Sequence, residues 1–493
     1  MTAPARTPSP PAGTADGTAL PRTGSPDRDL PASGLPDHDR PRRVPGGALV
    51  AAGLGLAAVL VLAVAVGGGA RSGSGTPGLG SAGPFVEWGL PVTRLAGRIA
   101  GLGTVGTLLF AAVLRPGVRG VLPAASRRAA RAASAWALAW AAATAAGAVL
   151  TVSELLGVGP LALPASAVGV FVTDVATGRA ALVSAGVAVL VALLARRCTR
   201  APAAGALLAA ALVGLVVPVV LAGHSATADD HVPAVTTLGV HVVTAAVWVG
   251  GLAALLAYGR RRDDLVPAAA RFSAVALACF VLTGASGLLA AWLVLGGDPG
   301  GLRAVPGTGY GRLLLAKTAA LLALGVLGAL HRRVTLRSLR AGRPGGFRRF
   351  AAVEVGVMLG TVALAVALSA APPPPGGTPA TGGPAAADAQ PGPPGQPAPA
   401  APDPMAGHDH GELSVTVLID EERFHVSAPV APGTRVTVHN AGTTEVTVTA
   451  ADGSFDVVVP GRALLTFPAP ERPGEYAFTS RHSAAFADVL VVR

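Results

Sequence analysis

Long apolar segments recur along most of the chain, and each is close to the roughly 20 residues that an α-helix needs to cross a bilayer. They lie at about 46–67, 92–114, 132–152, 179–196, 202–222, 234–257, 268–295, 311–330 and 350–370. The pattern predicts a polytopic α-helical membrane protein with about nine transmembrane helices, and the bilayer itself is therefore an expected partner.

The first apolar segment has two interpretations. Residues 1–44 form a tail rich in Pro, Gly, Asp and Arg without apolar periodicity, and we expect this tail to be disordered. Residues 46–67 then form either a cleaved signal peptide or an uncleaved transmembrane anchor. The length of the apolar stretch and the long basic tail before it favour the anchor.

The pattern changes after the last apolar segment. Residues 372–410 are a Pro/Ala/Gly-rich linker, which should be extended and semi-rigid. From residue 411 to 493 apolar and polar residues alternate with period two in eight short runs, separated by turns such as Ala-Pro-Gly and Asp-Gly. This alternation predicts a small all-β sandwich.

Composition agrees with a membrane protein, because 51% of the 493 residues are hydrophobic and 13% are charged. A net charge of +11 would suggest nucleic acid for a soluble protein, but the Arg residues lie between the apolar segments, where they set orientation. The Arg-rich segments are 115–131, 196–200, 260–271 and 331–350. We expect these loops and the N-terminus to be cytoplasmic and the β domain to be extracytoplasmic.

The loop between the fifth and sixth segments holds the main candidate metal ligands. His224, Asp229, Asp230 and His231 lie in the sequence GHSATADDH, and His241 follows about two turns into the next segment. Imidazole and carboxylate together suit Cu(II) or Zn(II). The alternatives are a solvated polar loop and, for His241, a hydrogen bond between helices.

Several other residues are weaker candidates. Met405, His408 and His410, in DPMAGHDHG, could bind copper, and His482 is a further candidate in the β domain. Lys317 is the only Lys; it either snorkels outward or pairs with Asp229, Asp230 or Glu154. We expect Glu354, Arg94 and Arg98 to be interfacial, and His331 to contact lipid headgroups.

Some classes of function are disfavoured. Two Cys residues imply no disulfide framework, and three Met residues are too few for a thioether path. The chain has no GxxxxGK[ST] loop, so we expect no nucleotide cofactor and no ATP-driven pumping by this chain alone. We expect no enzymatic activity and no nucleic-acid partner.

Three segments together resemble the CopD copper-resistance family over roughly residues 85–371. They are WGLPVTRLAGRIAGLGTVGTLLFAAVLRP, GHSATADDHVPAVTTLGVHVVTAAVWVGGLAAL and GRLLLAKTAALLALGVLGALHRR. The resemblance implies an eight-helix copper-handling module in the plasma membrane, with copper moved inward as part of copper resistance or homeostasis. An extracytoplasmic copper-binding protein is an implied partner.

The sandwich is similar to a cupredoxin, but its ligand set departs from that fold. A blue-copper site needs two His, a Cys and usually a Met. Glu445 stands near the first His position, Thr479 near the Cys and Ala485 or Phe486 at the Met, so that only His482 remains. We therefore expect no blue-copper centre.

Two other functions stay open. Copper is the expected metal, but His224 and His241 could instead be axial ligands of a haem in a membrane redox protein. The third possibility is a scaffold in copper handling that transports nothing.

Overall fold

The structure, a computed structural model, describes residues 46–67, 82–117, 119–222, 231–294, 307–335, 344–369, 416–420, 423–426 and 429–493. The tail at 1–44, the linker at 372–410 and the candidate ligands Met405, His408 and His410 lie outside these ranges.

Ten α-helices precede the β domain in the described ranges. They are α1 (Gly46–Gly67), α2 (Pro84–Leu109), α3 (Ala124–Leu156), α4 (Ala165–Asp174), α5 (Ala176–Ala195), α6 (Ala201–Ala222), α7 (His231–Tyr258), α8 (Arg262–Val294), α9 (Gly309–Leu330) and α10 (Pro344–Ser369). Two π-helical turns, Phe110–Leu114 and His331–Thr335, continue α2 and α9.

Eight of these helices are long and apolar enough to cross a bilayer: α2, α3 and α5 to α10. This confirms the predicted polytopic helical class. The apolar part of α1, Gly53–Val66, is shorter than the roughly 20 residues that a helix needs to cross a bilayer. Helix α4 was not predicted, since its ten residues are too few to span and fall in a segment that we expected to be a loop.

The Arg-rich loops meet at one end of the helices. The amide of Leu122 donates to the carbonyl of Thr199 at 2.9 Å. Arg115 Nε pairs with Asp264 Oδ1 at 2.8 Å, and so joins the end of α2 to the start of α8. Loops that the charge pattern assigned to one side of the membrane are thus in direct contact.

The β domain contains eight strands in two sheets within its described residues, as the period-two pattern predicted. The strands are β1 (Val417–Ile419), β2 (Phe424–Val426), β3 (Arg435–Asn440), β4 (Val446–Ala450), β5 (Asp456–Val459), β6 (Leu464–Pro468), β7 (Gly474–Ser480) and β8 (Ser483–Val492). The first sheet has the order β2-β1-β3-β6 and the second β5-β4-β7-β8. Apolar residues from both sheets, such as Val438, Val448 and Phe478, fill the space between them.

The first sheet has a second, outward face, and part of it contacts the helical region. The β3–β6 register pairs His439 with Leu464, so both side chains lie on the face opposite Val438. Leu464 packs with Leu156, Ala167 and Phe171 of α3 and α4. On the same face Arg435 Nε lies 3.7 Å from Asp174 Oδ1 at the end of α4.

Candidate functional site

His241 lies inside the membrane-spanning part of α7 and is directed at α8. Its Nδ1 is 3.1 Å from the carbonyl oxygen of Thr283 and 3.2 Å from Ser286 Oγ. One turn along α7, Thr244 Oγ1 lies 2.9 Å from Thr283 Oγ1. These side chains form a small polar cluster between two apolar helices.

The partners of His241 determine which ring nitrogen carries the proton in the neutral form. A carbonyl oxygen can only accept, so Nδ1 must donate to Thr283. Nε2 then keeps its lone pair. An imidazole that donates its other N–H to a backbone carbonyl is the usual arrangement of a metal-binding His. The predicted alternative, a hydrogen bond between helices, is therefore present, and it leaves Nε2 as the nitrogen that can accept.

Space beside this cluster is available on the same two helices. A crevice of about 240 Å³ is lined by Thr236, Thr237, Val240, Leu282, Ala285, Ser286 and Leu289. It includes Ser286, which contacts His241, and reaches one to two turns along α7 towards His231. Its volume is slightly below the roughly 300–1,000 Å³ that pockets for small organic ligands have.

Trp248 occupies the same face of α7 as His241, because seven residues make about two helical turns. The indole is buried and packs edge-on against Phe280 of α8, with ring centroids 5.5 Å apart. The two Gly residues that follow have a packing role. Gly250 lies against Gly106 of α2, and a Cβ on Gly251 would come within 2.6 Å of Phe272.

Lys317 on α9 belongs to the electrostatic surroundings of His241. Lys317 is close enough to His241 for the two side chains to interact electrostatically. Arg98 is close enough to Lys317 for the same kind of interaction. Among the described residues, Lys317 forms no ion pair with Glu154 or with any other carboxylate. Asp229 and Asp230, the other predicted partners, lie outside the described ranges.

The predicted ligand loop before α7 lies outside the described residues. His224, Asp229 and Asp230 fall outside the described residues, and of His231 only the backbone is described, as the first residue of α7. Among the described residues no group of three His, Cys, Asp or Glu side chains is placed to hold a metal ion. His241 is therefore the one predicted membrane ligand whose surroundings are described.

The predictions for His331 and Glu354 were wrong. Both side chains are buried, with 10% and 7% of their surface exposed, and His331 Nδ1 lies 2.9 Å from Glu354 Oε2. The ring of Phe347 packs edge-on against His331, with centroids 4.7 Å apart. Sequence reasoning missed this pair because each residue lies close to a run of Arg residues. The available signal was a carboxylate within an apolar segment.

The β domain brings several of the cupredoxin-like positions to one cavity. Glu445, Ser480, His482 and Phe486, together with Asp420, line a space of about 520 Å³ at one end of the two sheets. Thr479, the expected Cys position, pairs with Thr449 in the β4–β7 ladder. His482 is exposed, and the carboxylates of Asp420 and Glu445 line the same cavity.

Two further His residues of the β domain lie in the first sheet. His425 Nε2 is 2.7 Å from Asp420 Oδ2, while its Nδ1 has no hydrogen-bond partner. His439 is 2% exposed, its Nε2 has no partner either, and burial lowers its pKa to about 4. Both pair with Leu418 in register, one on each side, so they are two strands apart.

Comparison with known proteins assigns the helical region. Residues 85–234 match the family described as copper resistance protein D-like, N-terminal domain, and residues 266–368 match copper resistance protein D. His241 and most of α7 fall between the two matched ranges. No solved structure matches the chain.

Similarity to one relative also supports this assignment. The copper transport protein CutJ of Bacillus subtilis (strain 168) is 29% identical over 167 residues, which cover 33% of this chain and 30% of that relative. The match thus spans less than a third of the relative's length. The two family matches follow one another along a single array of membrane-spanning helices. The membrane region of this chain therefore belongs to the copper resistance protein D family.

Proposed function

We propose that the chain carries copper across the plasma membrane, from the extracytoplasmic face towards the cytoplasm, and that His241 is the ligand within the membrane. The family and the name of the relative support copper as the ion. The Arg-rich loops support an orientation with the N-terminus inside and the β domain outside. The observation that carries the proposal is the polar cluster around His241.

A polar side chain within the bilayer is costly. An imidazole there is retained when it has partners and a task. The Nδ1 of His241 has its partners in Thr283 and Ser286. Its Nε2 retains a lone pair, which is what a copper ion requires.

Copper would reach His241 from the outer loop. We infer that His224, Asp229, Asp230 and His231 capture the ion. His231 begins α7, so ten positions, or about 15 Å of helix, separate it from His241. The crevice on α7 and α8 lies between His231 and His241 along α7, and Thr236 and Thr237 line it.

The charge of Lys317 favours passage over tight binding. A fixed positive charge close to a cation site raises the energy of the bound cation. Imidazole binding and this repulsion oppose one another, and conduction requires a site that holds the ion weakly enough to release it. Lys317 therefore limits the time that copper spends at His241.

The test is copper and zinc accumulation in copper-depleted cells that produce the chain or its variants. We expect His241→Ala to lower copper accumulation by about tenfold or more, because one ligand of a small set is lost. His224→Ala with His231→Ala should weaken accumulation chiefly at low external copper, since the loop acts in capture.

His241→Asn is the matched variant that separates ligation from structure. The Asn amide nitrogen takes the place of His Nδ1, so it can still donate to the Thr283 carbonyl, but it is a poor copper ligand. We expect His241→Asn to behave like His241→Ala in transport while it retains the wild-type melting temperature. Normal copper accumulation in His241→Asn would reduce His241 to a structural hydrogen bond. Thr318→Ala, which alters an exposed hydroxyl of α9, is the folding control.

A further inference from the structure

Two of the Arg-rich loops, 115–123 and 196–200, form one surface at the end of the helices. The amide of Leu122 donates to the carbonyl of Thr199, and the amide of Ala201 donates to the carbonyl of Gly120, each at 2.9 Å. An antiparallel β-bridge also pairs residues 121 and 200. Segments from distant parts of the sequence are thus joined side by side.

This surface carries a large excess of positive charge. Segments 115–131 and 196–200 together contain eight Arg residues and no Asp or Glu. Arg115 is paired with Asp264 at 2.8 Å, and Arg196 donates to a hydroxyl of α3 at 3.0 Å. The remaining exposed Arg residues of the two segments are Arg119, Arg128, Arg131, Arg197 and Arg200, and we call them the Arg patch.

Arg119 has a backbone conformation that is unfavourable for an Arg residue. Its φ is 52°, in the left-handed region, and Gly120 follows with a φ of 80°. Gly, Asn and Asp adopt this region most readily, whereas the Cβ of most other residues makes it costly. Such backbone strain is concentrated at functional positions. The turn itself would favour Gly or Asn at position 119, so the strain points to a role of the guanidinium group.

The loop that carries Arg119 is held in place by the surrounding backbone. Ser126 Oγ donates to the carbonyl of Arg115 at 2.7 Å. Gly117 lies so close to the carbonyl of Val121 that a Cβ at this position would overlap it. Together with the hydrogen bonds to the second loop, these contacts fix the backbone on which the Arg patch stands. A ligand of the patch therefore has little ordering of the loops to pay for.

Exposed apolar side chains border the Arg patch. Val121 follows Arg119 closely, and Leu193 and Leu194 occupy the last turn of α5; all three apolar side chains are exposed. The spans Pro84–Leu114 and Ala176–Ala195 end directly before the two loops, at the level where lipid headgroups begin. A soluble polyanion would complement only the charges. An anionic phospholipid complements both the charges and the apolar border.

We propose that the Arg patch binds the phosphate headgroup of an anionic phospholipid, with Arg119, Arg197 and Arg200 as its main contacts. A guanidinium group donates two parallel hydrogen bonds to phosphate oxygens, which suits Arg to this ligand. Basic pockets between spanning helices are known to hold anionic headgroups. The acyl chains lie against the bordering apolar side chains. This site does not depend on the proposed copper transport.

The test is the binding of phosphatidylglycerol and phosphatidylcholine to the full chain purified in detergent, measured by native mass spectrometry. The wild-type chain should bind phosphatidylglycerol at least about tenfold more tightly, since each Arg near an anionic lipid contributes about fivefold. The combined variant Arg119→Gln, Arg197→Gln and Arg200→Gln should lose this preference. An excess of inorganic phosphate should not displace the lipid, because it has no acyl chains.

The control variant removes the same number of exposed Arg residues elsewhere. Arg332→Gln, Arg333→Gln and Arg349→Gln alter the Arg-rich segment 331–350 and should retain the wild-type preference. An equal loss in both triple variants would mean that every Arg-rich loop attracts anionic lipid alike, and would refute a specific site. Absence of a preference in the wild-type chain, or displacement by inorganic phosphate, would refute the lipid site as well.

Arg119→Asn separates binding from folding. Asn tolerates the left-handed region, so the melting temperature without added lipid should equal or exceed that of the wild type. Phosphatidylglycerol should nevertheless bind about fivefold more weakly. This variant also decides if the triple variant does not fold. Weaker lipid binding without a lower melting temperature would support the site, and unchanged binding would overturn it.

Discussion

The position of His439 in the fold changes the pKa of its side chain, and nothing in the local sequence indicates this change. The side chain lies on the outward face of the first sheet, in register with Leu464, and is nearly fully buried. Its Nε2 has no hydrogen-bond partner, and burial lowers its pKa to about 4. The neutral ring is therefore the form that the folded chain holds at neutral pH.

The pH dependence of stability follows from this shift. An unfolded chain binds a proton at His439 below its ordinary pKa of about 6.5, whereas the folded chain does not until about pH 4. Stability is therefore fully present above about pH 6.5 and falls as pH drops towards 4, by up to about 3 kcal/mol. Calorimetry of the full chain should show this loss, and His439→Leu should reduce it. An equal loss in the variant would contradict the assignment.

At the scale of elements, the approach of α2 to α7 depends on two Gly residues. A Cβ on Gly106 would overlap the backbone of Gly250, and a Cβ on Gly250 would come within 3.1 Å of Gly106 Cα. Small residues allow membrane helices to pack closely, since lipid provides no hydrophobic force between them. The Trp-Val-Gly-Gly motif thus positions the helix that carries His241.

Gly106→Ala should separate α2 from α7 and destabilise the chain by about 1–3 kcal/mol, since backbone blocks the added methyl. Gly186→Ala is the matched control, because an added methyl on α5 meets no atom within 4 Å. The control should be neutral or more stable by up to about 1 kcal/mol. Thermal melting of both purified variants is the measurement. Equal melting temperatures would show that the helices accommodate the methyl.

At the scale of the whole molecule, the β domain contacts α3 and α4. Burial of a Leu side chain contributes about 1.5–3 kcal/mol, whereas an ion pair as exposed as Arg435 with Asp174 contributes less than about 1 kcal/mol. Leu464 therefore provides most of the contact, and the ion pair orients it. A Pro-rich linker alone would predict many orientations of the domain.

Thiol labelling tests this contact in the full chain. Cys198 and Cys279 are both buried, and burial raises the pKa of the Cys198 thiol, so the background reaction should be slow. Leu464→Cys should react with an impermeant maleimide at least tenfold more slowly than Val458→Cys, whose position is exposed. Asp174→Arg should accelerate the labelling, and added Arg435→Asp should slow it again. Equal rates at positions 464 and 458 would mean that the domain is not docked.

The sequence by itself determined the architecture, because hydrophobic periodicity reports directly on the solvent that each segment meets. Eight of the nine predicted spanning helices, and the eight strands, agree with the apolar runs and with the alternation, and the order of motifs was sufficient to suggest the family. The sequence also indicated that His241 is a candidate functional residue, since a polar side chain in an apolar segment is costly in any membrane fold.

Tertiary structure decided which side chains meet. Thr283 and Ser286, the partners of His241, lie more than forty residues away, and nothing in their local sequence distinguishes them from ordinary helical hydroxyls. His331 and Glu354 each resembled an interfacial residue until the packing of α9 on α10 buried them together. Contact between distant residues depends on helix rotation and packing, which periodicity does not encode. For the same reason only the structure placed Leu464 against α3 and α4.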